Sequence, residues 1–165
     1  MSHKGSPTPE VVYPPENPRH VTLVGRWKAV LTGPGGEVKT SVAGRNVICT
    51  NGKEWLASFL NSAAAAASTM TMRYVAIGTD STAEAASNTA LGTEASRHTG
   101  TVSYVSNQIY QVTATFATGS GTGAIVEYGL FSSSSAGTML SRDTEDVINK
   151  GANDTLTVTA QITVS

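Results

Sequence analysis

One cysteine, three histidines and a short run of carboxylates are the residues of this chain whose types could support catalysis or metal binding. A thiolate nucleophile would have to be Cys49, with His98 as its base. Nothing local supports that pairing, and Cys49 sits in the apolar run Val47-Ile48-Cys49, where a buried thiol acting as a small hydrophobe is expected. Being alone, it can form no intramolecular disulfide. His3, His20 and His98 are scattered, so the close His/Cys spacings of a metal site do not occur and no metal is expected. Asp143, Glu145 and Asp146 are close enough to serve as paired carboxylates in glycoside hydrolysis or as oxygen ligands for Ca²⁺. The segment lacks the glycine and terminal glutamate of an EF-hand loop. A solvated acidic loop is the plainer reading, with a contact to Arg97, Arg142 or Lys150 across a subunit boundary as the next.

Two glycine-rich stretches invite a phosphate reading. Gly33-Pro34-Gly35-Gly36-Glu37-Val38-Lys39-Thr40 ends in Lys-Thr, but it lacks P-loop spacing and joins two predicted strands. A phosphate loop must open a helix whose N-terminus faces the anion, so a hairpin turn is expected. Gly119–Gly123 contains G-x-G-x-G but is followed by a strand, which argues against a dinucleotide fold. Neither an enzyme nor a cofactor is expected.

The elements that carry these residues are mostly strands. From Val21 to Leu31 apolar residues recur with period two, the turn at 33–36 follows, and Glu37–Val42 returns. Asn51 and Glu54 can form a capping box, and Trp55, Leu56, Phe59, Leu60 and Ala63 then share one helical face, predicting a helix from Asn51 to near Ser68. Met70–Gly78 is extended. Thr79–Gly100 reads as a long excursion with a helical turn at 83–86. Thr101–Val105 and Gln108–Ala117 form a hairpin around Ser106-Asn107. Ala124–Phe131 is a strand and Gly137–Arg142 a short one. At the end Leu156, Val158, Ala160, Ile162 and Val164 alternate with threonines and Gln161, one face in a core and one in water. Trp27 and Trp55 both fall on apolar faces. The fold class expected is mainly β, a sandwich or jelly-roll-like domain over residues 21–165 with one short α-helix.

All six prolines lie within the first 34 residues. Proline fixes φ and lacks the N–H, so residues 1–20 are expected to be an extended arm rather than part of a sheet. Val11, Val12, Tyr13, Pro14, Pro15 and Arg19 are its candidate partner-binding residues, with Tyr13 able to dock in a pocket or to pack back on its own domain.

Composition narrows the function classes. Charged residues are 14% of the chain, against roughly 25% in ordinary globular domains, and Ser and Thr supply the polarity instead. Net charge is −1, and residues 1–28 carry an excess of only +2, too little to argue for nucleic acid. No apolar run follows Met1-Ser2-His3-Lys4, so no signal peptide is expected. No window approaches the roughly 20 apolar residues of a membrane span.

The second half carries a recognisable order of motifs. These are Tyr74-Val75-Ala76-Ile77-Gly78-Thr79-Asp80, Thr89-Ala90-Leu91-Gly92-Thr93-Glu94 with Arg97, and Glu127-Tyr128-Gly129-Leu130-Phe131. Gly137-Thr138-Met139-Leu140-Ser141-Arg142, Ile148-Asn149-Lys150 and Asp154-Thr155-Leu156-Thr157-Val158 complete it. Over about residues 45–165 this order resembles a group of tailed-bacteriophage virion structural proteins. Related phage proteins serve as capsid decoration, or cement, proteins, small trimers that clamp neighbouring capsid subunits with extended arms. The resemblance implies a virion protein on the outer capsid surface, made in the host cytoplasm, with the major capsid protein and its own copies in a homotrimer as partners. A tail or baseplate component that attaches a fibre is the alternative. Glu94 and Arg97 are placed to pair with each other or, with Arg142 and Asp143, to meet a neighbouring subunit.

Overall fold

The computed structural model describes residues 21–61, 72–106 and 108–165. The arm residues Val11, Val12, Tyr13, Pro14, Pro15 and Arg19 lie outside the described residues, as does the predicted end of the helix near Ser68.

The described residues form ten strands and one helix. β1 (Leu23–Thr32) and β2 (Val38–Gly44) make the first hairpin, closed by the glycine turn in which Gly36 takes a φ of +86°. The Lys-Thr pair of that stretch thus belongs to a strand, not to a helix N-terminus. β3 (Val47–Ile48) is followed by α1 (Thr50–Asn61) and β4 (Tyr74–Gly78). β5 (Glu94–Thr99), β6 (Thr101–Ser106) and β7 (Ile109–Phe116) come next. β8 (Gly123–Phe131), β9 (Met139–Lys150) and β10 (Thr155–Val164) complete the chain. They make two five-stranded sheets, ordered β2-β1-β10-β7-β6 and β3-β9-β8-β4-β5, in which each pairing is antiparallel.

The two sheets share one core. Trp27, Ala29 and Leu31 of β1, the alternate residues Leu156 to Ile162 of β10, and Val112, Ala114 and Phe116 of β7 come from the first sheet. Val75 and Ile77 of β4, Tyr128 and Leu130 of β8, and Ile148 of β9 come from the second. Period-two burial on β1 and β10 is what the alternating sequence dictates, since successive side chains point to opposite faces. Trp27 is buried, whereas Trp55 is only half-buried at the edge of this core.

Three elements differ from expectation. The segment 143–146 is not a solvated loop: β9 runs unbroken through it, and Asp143 is 1% exposed. A register shift between Ile125 and Glu127 on β8 lets both Ile125 and Tyr128 face the core while β9 continues past them. The excursion 79–93 contains no helical turn at 83–86; instead Asn88 N–H bonds Ala85 C=O at 3.0 Å in a turn. The helix begins one residue early, with the Lys53 amide bonded to the Cys49 carbonyl at 3.1 Å. Asn51 therefore sits inside the helix, and its Oδ1 is buried with no hydrogen-bond partner among the described residues. The excursion replaces the expected cap, as Ala86 C=O accepts from Thr50 N–H at 2.8 Å. No helix among the described residues is long and apolar enough to cross a membrane.

Candidate functional site

The excursion is a roof over the outer face of the second sheet. Leu91 packs there with Ala76, Phe131 and Met139 in a small cluster that also buries Cys49. Beneath the roof Glu127 and Arg142 form an ion pair at 2.9 Å, 0% and 2% exposed. The Glu127 carboxylate also accepts from the amides of Asp80 (3.2 Å), Gly92 (2.9 Å) and Thr93 (2.8 Å). Arg142 Nη1 donates onward to Asn88 Oδ1 and the Ala83 carbonyl. One buried carboxylate thus ties both ends of the excursion to β8, and charge-assisted bonds of this kind are the stronger ones. The pair positions backbone and leaves no group free for chemistry. The expectation that Arg142 and Asp143 meet a neighbouring subunit is corrected by their burial, because each is covered within its own chain.

Glu94 and Arg97 pair with each other at 2.6 Å. Arg97 also donates to the Ser133 and Ala136 carbonyls and lies 3.6 Å over the Phe131 ring. Its work is to hold the 132–138 loop, in which Ala136 has a φ of +49°.

Asp143 faces the interior beside Tyr128. Burial, then the neighbouring Glu145 and Glu84 charges, push its carboxyl up to about 7. Burial likewise pushes the Tyr128 hydroxyl up. Thr144 Oγ1 donates to Glu84, and Lys150 donates to the Ala117 and Asp154 carbonyls instead of to Asp143. Among the described residues no three His, Cys, Asp or Glu side chains gather in a way that could hold a metal ion.

Cys49 is fully buried, which pushes its thiol up and away from the reactive thiolate. His98 does not meet it. Its Nδ1 donates to the Thr115 carbonyl at 3.0 Å, and Nε2 accepts from Ser120 Oγ at 2.9 Å. Sequence reasoning missed this Ser–His contact, although the glycines on both sides of Ser120 could have drawn attention to it. A carbonyl, not a carboxylate, stands behind the imidazole, and Gly121 packs against Ile77. The arrangement joins β5 of one sheet to β7 of the other.

Among the described residues the outer face of the first sheet carries no such roof. There a groove of about 540 Å³ is lined by Arg26, Trp27, Lys28, Ala43, Gly44, Arg45, Gln111, Thr159 and Gln161. Arg26 and Lys28 are two residues apart on β1 and therefore share its outward side. Register puts Gln161 beside Arg26 and Gln111 beside Gln161. Gln161 Nε2 donates to Gln111 Oε1 at 2.7 Å, and Gln111 Nε2 to Ser103 Oγ at 3.0 Å, an amide ladder across three strands. Thr113 and Thr159 hydroxyls lie 3.1 Å apart beside it. Arg45 follows β2, where Asn46 turns in against Gly25; a side chain at position 25 would occupy the Asn46 amide's place, 1.6 Å from its Oδ1. Among the described residues Arg26, Lys28 and Arg45 have no salt-bridge partner, and the groove lining includes no carboxylate. The sequence reading weighed Arg26 and Lys28 only as part of a small charge excess, because Arg45 lies apart along the chain and joins them only through β1–β2 pairing.

Comparison of the chain with family models, curated proteins and solved structures returns no match.

Proposed function

We propose that this chain is a capsid decoration protein of a tailed bacteriophage, a non-catalytic β-sandwich, jelly-roll-like in outline, that binds the outer face of an assembled head as a homotrimer. The observation that carries the reading is the asymmetry of its two faces. The second sheet is closed by its own excursion, pinned at Glu127. The first sheet offers a hydroxyl- and amide-rich face with a cationic groove. A folded body with one open polar face suits docking on a preformed surface, where little ordering entropy has to be overcome on binding. The order of motifs along residues 74–158 supports the same reading. Residues 1–20 add an arm, with Val11, Val12 and Tyr13 as apolar anchors between prolines.

Mechanistically, a protein that binds the assembled shell and not its separated subunits stabilises the shell by linkage. Many copies, each held by a face and an arm, gain avidity without any single strong contact. The test is to add purified protein to empty heads of the phage that encodes it and to follow pelleting and the melting temperature of the shell. The reading expects binding and a raised shell melting temperature. Attachment to purified tails instead of heads would favour the fibre-attachment alternative.

A further inference from the structure

We propose that the groove formed by Arg26, Lys28 and Arg45 is a carboxylate-recognition site that takes an acidic segment of a partner protein's surface. The inference rests on the decoration reading only for the partner's location, because the groove's chemistry can be tested without it. Three other cations have carboxylate partners, Lys39 with Asp154, Arg97 with Glu94 and Arg142 with Glu127, while Lys150 is held by two carbonyls. Here three cations share one groove with no carboxylate in its lining. Their mutual repulsion is relieved when an anion enters.

The neighbours of the cations select the kind of anion. Arg26 and Lys28 stand about 6.7 Å apart along an outward strand face, which is also the side-to-side repeat of two like-facing residues on an extended acidic peptide. A guanidinium can bind a carboxylate through two parallel N–H groups, while the lysine acts as a point charge. The Gln161–Gln111–Ser103 ladder fixes amides that present donors and acceptors together. A peptide backbone uses both, whereas a phosphate offers acceptors alone. Among the residues that line the groove no aromatic ring is presented for base stacking, since the Trp27 side chain is buried with its ring 6.0 Å from that of Tyr128. With a net charge of −1 the chain also lacks the general field that draws a polyanion. These features favour an acidic protein segment over a nucleic acid.

The experiment uses the full chain and two probes. In NMR titrations hexaglutamate should shift the amides of Arg26, Lys28, Arg45, Gln111 and Gln161, and those shifts should vanish in the R26E/K28E/R45E variant. All three residues are exposed and have no salt-bridge partner among the described residues, so the variant should keep the wild-type melting temperature, and R26Q/K28Q/R45Q serves as the milder control. Oligothymidylate of equal charge should bind at least fivefold more weakly. Absence of shifts at the groove, or tighter binding of oligothymidylate, overturns the proposal. With empty heads as the second probe, the charge-reversed variant should bind at least tenfold more weakly than wild type, and wild-type binding should weaken as salt rises. Equal binding of the two overturns the groove's role and leaves decoration standing. Groove-localised hexaglutamate binding with no binding to heads would keep the site and overturn decoration.

Discussion

At residue scale the fold depends on polar groups that only tertiary structure could pair. Replacing Glu127 by Gln leaves the Arg142 charge buried without its counterion, and breaking a pair of this kind costs about 3–5 kcal/mol. A fall of that size in urea-unfolding free energy is expected for E127Q. The apolar double variant E127L/R142M should recover only part of it, because the amides of Asp80, Gly92 and Thr93 would still lose their acceptor. Asp143 makes a pH prediction. Its carboxyl titrates near 3.8 without the fold and at about 7 within it, so the folded chain holds the proton more tightly. Stability therefore falls as pH rises from about 4 to about 7 and is level with respect to this group outside that window. Relative to wild type, D143N should gain on the order of 2 kcal/mol between pH 5 and pH 8, read from urea midpoints at the two values. An unchanged difference between the two pH values would remove Asp143 as the cause. These residues show why the site was only partly legible. Arg142 and Asp143 stood out as charged groups, yet their sequence gave no sign of burial, because the Arg142 partners lie 15 to 59 residues away.

Elements with a single buried face were the most legible. β10 alternates apolar and polar residues along its length, and β1 with its glycine turn announces a hairpin. β9 was not legible beyond Arg142, since its polar residues face the interior and the roof and so remove the alternation that marks a strand. The helix start shifted for a related reason: Cys49, bonded through its amide to the Leu140 carbonyl at 2.9 Å, takes the capping position because its side chain is needed in the cluster under the roof. The helix meets β9 through Gly52, where a Cβ would lie 2.7 Å from the Leu140 backbone. Alanine would gain about 1 kcal/mol of helix propensity there, but the backbone it strikes cannot swing aside as a side chain could, and overpacking costs about 1–3 kcal/mol. A net loss of roughly 1 kcal/mol in thermal unfolding is therefore expected for G52A. A gain would mean that α1 rides further from β9 than these distances allow.

At the scale of the whole molecule the mainly-β class followed from composition and alternation, while the difference between the two outer faces did not. That difference depends on where residues 79–93 fold back, and Leu91 and Glu127 decide it through contacts with no local signature. Function belongs to this scale, since the proposed binding face is assembled from β1, β2, β7 and β10 and from no single motif. Removal of residues 1–20 should leave the melting temperature of the remaining chain within a few degrees of the full protein, yet weaken attachment to heads. Full attachment by the truncated chain would confine binding to the sheet face. The most direct measurement of the central claim is the copy number of this protein in purified virions, relative to the major capsid protein, by quantitative mass spectrometry. A shell-wide decoration predicts a ratio near one to one, and absence from the particle would contradict the account.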